Sequence, residues 1–327
     1  MFKKFRLLGL AAALVLAITL AACGDDSNEE SSSSDGSDES TEDSGDDASS
    51  DGTKLGGKDI TLPYVAWAGS TTRTPILANV LEDVGYNVDV KQVEAGPMWT
   101  STADNKNTFN ATGWLPATHG DYLDQYSDKV KVYEEDSLVE QAPLALTVPS
   151  YMEDVNSVKD LKGNDELGEK VDWEIIGIDP GAGIMQNTEK ALENYSLDNW
   201  ELTSSSESAM LSELQTKIEN EEPIVVPLWK PHWIFADLDL KMLEDPDDVY
   251  GGAGDKIQLV FNKGFEDAHP AAYKIATRFA ADWGEEIENE YMAPIFVDDK
   301  DAEKVADQFM DENGDLVEKW EEGIAAE

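Results

Sequence analysis

Tryptophan is the residue type in this chain whose placement most clearly suggests chemistry. Of the nine tryptophans, Trp67, Trp114 and Trp229 lie where short apolar runs should end in loops. In open α/β sheets, such strand ends form the ligand crevice. Indole rings there suit a cation that cannot donate a hydrogen bond, because the negative ring faces attract its charge. The alternative is that these rings simply pack in the core or at its rim.

A glycine-rich loop offers a second kind of chemistry. Residues 179–183, with the sequence DPGAG, lie between a strand-like run and a helical pattern from Ile184 to Tyr195. The first N–H groups of a helix have no intrahelical acceptor, so they can hold an anion. The loop has neither the complete GxGxxG pattern nor a Walker lysine, which makes it a weak nucleotide motif.

The histidines do not form a recognisable catalytic or metal-binding set. The chain has His119, His232 and His269. None of them lies in an HExxH motif, and no GxSxG nucleophile turn occurs. We therefore expect no catalytic residue, no metal and no cofactor, and we expect that the protein is not an enzyme.

The chain is strongly acidic, with 69 acidic residues, 24 basic residues and a net charge of −45. Residues 24–51 contribute twelve acids, ten serines and no base, yet residues 52–327 still carry a net charge of −36. This charge argues against nucleic acid as a partner and against direct adhesion to anionic lipid. Adaptation to high salt and ordinary solubility both explain it. Salt is favoured, because self-repulsion of this size weakens when it is screened.

The amino-terminal segment has the pattern of a secretory signal. Lys3, Lys4 and Arg6 precede an apolar run from Leu7 to Ile18, and Cys23, the only cysteine, follows. The run is shorter than the roughly 20 residues of a spanning helix. The segment resembles a bacterial lipobox, whose cysteine receives a lipid; the alternative is a buried cysteine beside an ordinary cleavage site. We expect a signal peptide over residues 1–22 and a lipidated, acidic, disordered tether over residues 23–57.

The elements that must position these residues begin with a βαβ pattern. Ile60 to Trp67 predicts a buried strand, and Thr74-Pro75 predicts a helix start with a capping hydroxyl and proline at the first helical position. Gly85 predicts the end of that helix, and Tyr86 to Val93 predicts a second strand. The order indicates an α/β sheet.

Later strands and helices are compatible with two lobes that enclose a ligand. Leu144 to Val148 and Lys256 to Phe261 are strand-like runs that could cross between lobes, and Ala302 to Trp320 predicts an acidic, external helical segment. The predicted boundaries are residues 58–146 with 254–323 for lobe 1, and residues 147–253 for lobe 2.

Six blocks in order carry a resemblance to a known family. The chain resembles the substrate-binding lipoproteins of glycine betaine (osmoprotectant) ABC importers from about Ile60 to Trp320. The blocks are Val65-Ala66-Trp67, Glu94-Ala95-Gly96-Pro97-Met98-Trp99, Trp114-Leu115-Pro116-Ala117-Thr118-His119, Val148-Pro149-Ser150-Tyr151-Met152, Gly177-Ile178-Asp179-Pro180-Gly181-Ala182-Gly183-Ile184-Met185, and Trp229-Lys230-Pro231-His232-Trp233.

The resemblance implies a two-lobed periplasmic-binding-protein fold of type II. Each lobe would be a mixed sheet flanked by helices, and two hinge crossings would join the lobes. By position, Trp67, Trp114 and Trp229 match the aromatic walls that hold a trimethylammonium group. Gly183, Ile184 and His119 match the residues that meet the carboxylate. The resemblance further implies a monomer, anchored outside the cell membrane through a lipid on Cys23, that delivers glycine betaine to a permease and its ATPase.

Other residues of these blocks have supporting roles in this interpretation. We expect Trp99 and Trp233 to be packing neighbours and His232 to support the loop after Trp229, while Tyr64 and Tyr151 could line the cleft. The same fold could instead bind choline, carnitine, proline betaine or a sulfonium analogue. A surface esterase acting on choline esters would need a nucleophile beside a base, which no spacing here supplies, and a structural cell-wall protein would not need aromatic residues at strand ends.

Overall fold

A computed structural model of the chain describes residues 52–325. The predicted signal peptide, Cys23 and the predicted tether up to residue 51 lie outside the described residues. The strands are β1 (Asp59–Tyr64), β2 (Asn87–Gln92), β3 (Phe109–Leu115), β4 (Val130–Val132), β5 (Val139–Ala142), β6 (Leu144–Pro149), β7 (Glu174–Ile176), β8 (Glu201–Thr203), β9 (Val226–Trp229), β10 (Leu240–Met242) and β11 (Asp255–Asn262). The helices are α1 (Ala68–Asp83), α2 (Ala95–Asp104), α3 (Gly120–Tyr126), α4 (Asp165–Lys170), α5 (Gly183–Asn194), α6 (Glu207–Glu219), α7 (Ile234–Asp237), α8 (Phe265–Ala268), α9 (Pro270–Asp282), α10 (Gly284–Phe296), α11 (Ala302–Glu312) and α12 (Gly314–Glu321), with a 3₁₀ helix at Val158–Leu161.

The first lobe is built on strands of mixed direction. β1 and β2 pair in parallel, while β11 pairs antiparallel with β3, β4 and β5. A bridge between Thr61 and Thr108 joins β1 to the chain just before β3. Helices α1, α9, α10 and α11 pack together beside these strands. Within residues 52–325, no helix combines the length and apolar composition that crossing a bilayer requires.

The second lobe repeats this organisation with different strands. β6 lies between β9 and β10 and is antiparallel to both, and β7 pairs in parallel with β8. The amide of Ile176 donates to the carbonyl of Val225 at 3.0 Å, which links β7 to the chain that enters β9. The predicted α/β class, with helices flanking a mixed sheet in each of two lobes, is therefore confirmed.

The chain crosses between the lobes at two adjacent places. One crossing is at Pro143 and the other at Gly254, whose φ of +93° favours glycine. A Cβ on Gly254 would lie 2.9 Å from the backbone nitrogen of Pro143, so the two segments are in contact. The predicted boundary after residue 146 falls inside β6, which pairs with β9, so the first crossing precedes Leu144. The two strands that were predicted to cross between the lobes do not do so, because each of them lies within a single lobe.

Helix α1 begins earlier than the sequence predicts. The Thr74-Pro75 pair predicts a start there, but the helix starts at Ala68 and contains Pro75. The amide of Ala68 donates to the carboxylate of Glu207, and the hydroxyl of Ser70 donates to the carbonyl of Val65 at 2.7 Å. These contacts stabilise the first turn, so the proline is accommodated within the helix although its ring removes one backbone donor.

Both ends of the described chain pack against the first lobe. Leu55 is buried, its carbonyl accepts a hydrogen bond from the hydroxyl of Tyr86 at 2.7 Å, and Thr53 bridges to Ile324. The predicted tether is therefore too long at its carboxyl end, because residues 53–57 contribute to the packed fold. The segment from Ala302 to Trp320, which was predicted to be external, is partly buried. Phe309 and the Trp320 ring are buried among other aromatic side chains.

Candidate ligand-binding site

One cavity brings together all six residues that the sequence suggests for ligand binding. It lies between the two lobes. Its lining consists of Trp67, Trp114, Thr118, His119, Leu144, Ile178, Ala182, Gly183, Ile184 and Trp229.

The three indole rings form adjoining walls. The ring centroids of Trp67 and Trp229 are 6.4 Å apart with planes inclined at 61°, and those of Trp114 and Trp229 are 6.2 Å apart at 78°. The residues are only 6%, 5% and 4% exposed for Trp67, Trp114 and Trp229. Steeply inclined rings present several faces to one point, which is the arrangement that attracts an organic cation.

Each wall is positioned by the end of a regular element. Trp114 lies near the end of β3, and Trp229 ends β9. Trp67 is the N-cap residue of α1, and its indole Nε1 donates to Oδ1 of Asp179 at 3.1 Å. Two walls therefore come from the first lobe and one from the second, and the Trp67–Asp179 hydrogen bond crosses the cleft.

His119 supplies a hydrogen-bond donor at the cavity wall. The amide of Trp114 donates to Nδ1 of His119 at 3.1 Å, so this nitrogen is unprotonated and the ring proton lies on Nε2. Nε2 has no hydrogen-bond partner within residues 52–325. Burial lowers the pKa of His119 to about 3, against a smaller opposing effect of the Thr112 backbone. His119 is therefore a neutral donor with an unused N–H group.

The amino terminus of α5 adds backbone donors at the cavity. Gly183 and Ile184 are its first residues, and the N-cap residue Ala182 makes no side-chain hydrogen bond that would cap the helix. The first amides of a helix have no intrahelical acceptor, and the helix dipole places partial positive charge there. These amides and His119 Nε2 can therefore hold one carboxylate.

Gly183 also allows the lobes to approach each other closely. A Cβ at this position would lie 2.1 Å from the carbonyl oxygen of Thr118. Thr118 precedes His119 on the first lobe, whereas Gly183 starts a helix of the second. Only the absence of a side chain at residue 183 allows this contact.

A second aromatic layer supports His119. The rings of Trp99 and Tyr122 stack with centroids 5.8 Å apart and an interplanar angle of 6°. Both rings contact the edge of His119, at centroid distances of 5.7 and 5.9 Å. The hydroxyl of Tyr122 donates to the carbonyl of Gly181 at 2.9 Å, which adds a contact across the cleft. Trp99 is thus a packing neighbour of the site and lies outside the cavity lining.

The remaining residues named from the sequence lie around the site. His232 is buried, and its ring centroid is 5.2 Å from that of Trp229, as a supporting residue should be. Trp233 stacks on Phe296 at 6.0 Å. Neither Tyr64 nor Tyr151 lines the cavity; Tyr151 is 43% exposed and donates to the carbonyl of Glu222.

Sequence analysis missed two acidic residues next to the walls, Asp179 and Glu207. Asp179 accepts from Trp67, its Oδ2 has no partner within residues 52–325, and burial raises the pKa of its carboxyl group. Glu207 accepts from the amide of Ala68. Asp179 lies inside a block already singled out, whereas nothing in the local sequence distinguishes Glu207 from the chain's many other acids.

The arrangement can hold a small zwitterion by its two ends. The cavity lining combines aromatic faces with neutral N–H donors. Within the part of the chain that the structure describes, no group of histidine, cysteine and carboxylate side chains is arranged to hold a metal ion.

Comparisons with known proteins show which proteins this chain is similar to. A curated relative, the glycine betaine/carnitine transport binding protein GbuC of Listeria monocytogenes, is 42% identical over 161 residues, which cover 49% of this chain and 52% of the relative. The match thus spans about half the length of that relative.

Two solved structures share the fold along most of their length. The glycine betaine and L-proline-binding protein ProX of Borrelia burgdorferi is 32% identical, with a TM-score of 0.75 over 80% of this chain and 96% of that chain. Lactococcal OpuAC, in a closed conformation complexed with glycine betaine, is 29% identical, with a TM-score of 0.73 over 81% of this chain and 99% of that chain. These neighbours confirm the type II periplasmic-binding-protein fold.

A family model matches residues 58–312, which is most of the chain. This region contains both lobes and all the residues that line the cavity. The chain therefore belongs to the OpuAC family, the substrate-binding domain of ABC-type glycine betaine transport systems.

Proposed function

We propose that this protein is the extracellular substrate-binding component of an ABC importer and that it captures glycine betaine or a closely related quaternary ammonium zwitterion. It would deliver this ligand to a permease driven by its ATPase. The observation that carries the proposal is a single cavity lined by three indole rings, by His119 with its unused donor and by the first residues of α5. The solved relative bound to glycine betaine supports the same ligand class.

The energies are compatible with this ligand. Each cation–π contact is worth roughly 0.5–2 kcal/mol, so three walls supply a few kcal/mol. A micromolar affinity needs about −8 kcal/mol, so the carboxylate must contribute as well. Hydrogen bonds to an ionised group, from His119 Nε2 and the α5 amides, are of the stronger kind.

The donors at the cavity favour a ligand with a carboxylate. Choline has no carboxylate, so it would leave buried donors without partners, and such unpaired groups cost about 1–3 kcal/mol each. Carnitine and proline betaine have a carboxylate and remain candidates within the same proposal, as does a sulfonium analogue. An enzymatic role is not proposed, since the family is one of transport binding proteins.

Replacing Trp229 tests the role of the walls. We expect Trp229→Ala to weaken glycine betaine binding at least tenfold, or about 1.4 kcal/mol, as measured by calorimetry. Trp229→Phe should lose less affinity than Trp229→Leu, because phenylalanine keeps an aromatic face while leucine keeps only apolar bulk. Equal affinities of wild type and all three variants would remove Trp229 from the site.

A neutral ligand of the same shape separates charge recognition from shape. In 3,3-dimethylbutyrate a carbon atom replaces the ammonium nitrogen, while the methyl groups and the carboxylate remain. Wild type should bind this compound much more weakly than glycine betaine, because its uncharged end gains nothing from the ring quadrupoles. Comparable affinities for both compounds would contradict cation recognition.

The proposed location depends on the sequence outside the described residues. Cys23 follows a basic start and a short apolar run, as a lipid-modified cysteine would. A lipid on Cys23 and the acidic segment after it would hold the binding protein, as a monomer, near its permease on the outer face of the membrane.

A further inference from the structure

Glu207 is a buried acid whose partner lies on the other lobe. It is the first residue of α6 and only 5% exposed. Its Oε1 and Oε2 lie 3.2 and 3.3 Å from the amide nitrogen of Ala68, the first residue of α1. Buried carboxylates need such partners, and the amino terminus of a helix is a favourable place for negative charge.

His232 holds the carboxylate of Glu207 from the opposite side. The amide of Ile234 donates to Nδ1 of His232 at 3.2 Å, which places the ring proton on Nε2. Nε2 then donates to Oε1 of Glu207 at 3.2 Å. The side chain of His232 is buried and lies against the Trp229 ring. The carboxylate is thus fixed in place by its own lobe and directed at the other lobe.

These contacts connect two walls of the cavity through residues that do not line it. Ala68 follows Trp67 directly, so the Glu207 bond fixes the backbone that carries one wall. Through His232 the same carboxylate is connected to Trp229, the wall on the second lobe. Glu207 itself does not line the cavity. It therefore acts on the ligand through the two tryptophans.

We propose that Glu207 is a positioning residue that holds the Trp67 and Trp229 walls together and stabilises the closed state of the binding protein. This inference rests on the proposed function. The bond to Ala68 exists only while the lobes are together, whereas the bond to His232 lies within one lobe and persists when they separate. Its loss should therefore shorten the lifetime of the closed, ligand-bound state and leave the first encounter with ligand unchanged.

The test is the kinetics of glycine betaine binding, followed by tryptophan fluorescence in stopped flow. Glu207→Gln keeps an acceptor oxygen but removes the charge that strengthens the bond. We expect the dissociation rate to rise about tenfold, as the loss of a charge-assisted hydrogen bond predicts, with the association rate changed less than about twofold. The melting temperature of the ligand-free protein should change little.

Glu213→Gln is the matched control. Glu213 lies on the same helix and is exposed, so its replacement changes the net charge equally without touching Ala68. Its kinetics should equal those of wild type. If Glu207→Gln also behaves like wild type, the inference is wrong while the proposed function stands. If wild type itself does not bind glycine betaine, the proposed function fails and the inference fails with it.

Ala68→Pro tests the same bond from the other lobe. Proline is accepted at the first position of a helix, where it removes only an N–H group that has no intrahelical partner. Here that N–H group is the donor to Glu207. The variant should also dissociate faster. A slower association rate, or a lower melting temperature of the ligand-free protein, in both variants would indicate a general structural role and overturn the inference.

Discussion

At the scale of single residues, the protonation of His119 defines what the site can bind. Its Nδ1 accepts from the backbone of Trp114, and its Nε2–H group is left for a ligand. A charged imidazolium ring would have to donate from both nitrogens, which the Trp114 amide does not permit. In the proposed complex, the site would bind an anion with neutral donors and would place no second cation beside the quaternary ammonium group.

Glycine betaine affinity should therefore be constant from about pH 5 to about pH 8, because the pKa of His119 in the folded state is about 3. Calorimetric titrations across this range would measure it. An affinity that changes with an apparent pKa near 6.5 would contradict a neutral His119.

The stability of the fold should depend on pH where ligand affinity does not. In the unfolded chain His119 binds a proton below about pH 6.5, whereas in the folded chain it does so only near pH 3. Unfolding therefore becomes easier as pH falls from about 6.5 towards 3.

The residues that sequence analysis could locate are those that lie inside recognisable blocks. Trp67, Trp114, Trp229, His119, Gly183 and Ile184 were assigned by position, and they line one cavity. Glu207 could not be found in this way, because its meaning depends on a contact with Ala68, 139 positions earlier in the chain. In a strongly acidic sequence, the neighbouring residues do not indicate which acidic side chain is buried.

At the scale of elements, helix starts on both lobes meet at the site. Helix α5 presents its first amides to the cavity, and α1 presents its first amide to Glu207. The same long-range contact explains why the start of α1 was misplaced. Thr74-Pro75 is a good local start signal, yet a carboxylate from the other lobe and the Ser70 hydroxyl stabilise the turn before it. Tertiary contacts thus decide this boundary.

Gly183→Ala should lower glycine betaine affinity at least tenfold, because the added methyl group would lie 2.1 Å from the Thr118 carbonyl oxygen and prevent full closure. The melting temperature of the ligand-free protein should stay close to that of wild type, since alanine is a better helix former than glycine. Gly314→Ala is a suitable control, because that glycine also begins a helix but has no atom within 4 Å of its added Cβ. Unchanged affinity of Gly183→Ala would show that the two lobes need not approach so closely.

At the scale of the whole molecule, acidic surface charge dominates the electrostatics. Residues 52–327 carry a net charge of −36. The exposed ion pairs within the described part of the chain, such as Lys129–Asp104 and Lys190–Asp121, add little stability each. Long-range repulsion is therefore opposed mainly by burial of the apolar core.

Raising potassium chloride from about 0.1 M to about 1 M should stabilise the fold, because the Debye length falls from about 10 Å to about 3 Å. We expect the melting temperature to rise by at least ~3 °C, which corresponds to about 1 kcal/mol for a chain of this size. Scanning calorimetry would measure it, with trehalose at equal osmolality as the uncharged control. An equal rise in trehalose, or no rise in salt, would point to solubility as the reason for the acidic surface.

The contact between Pro143 and Gly254 has a mechanical consequence. Because these two backbone segments lie side by side, bending there would rotate one lobe against the other about a single axis. The tryptophan walls, the helix starts and the Glu207–Ala68 bond, which all lie where the lobes meet, would then separate together when the lobes open.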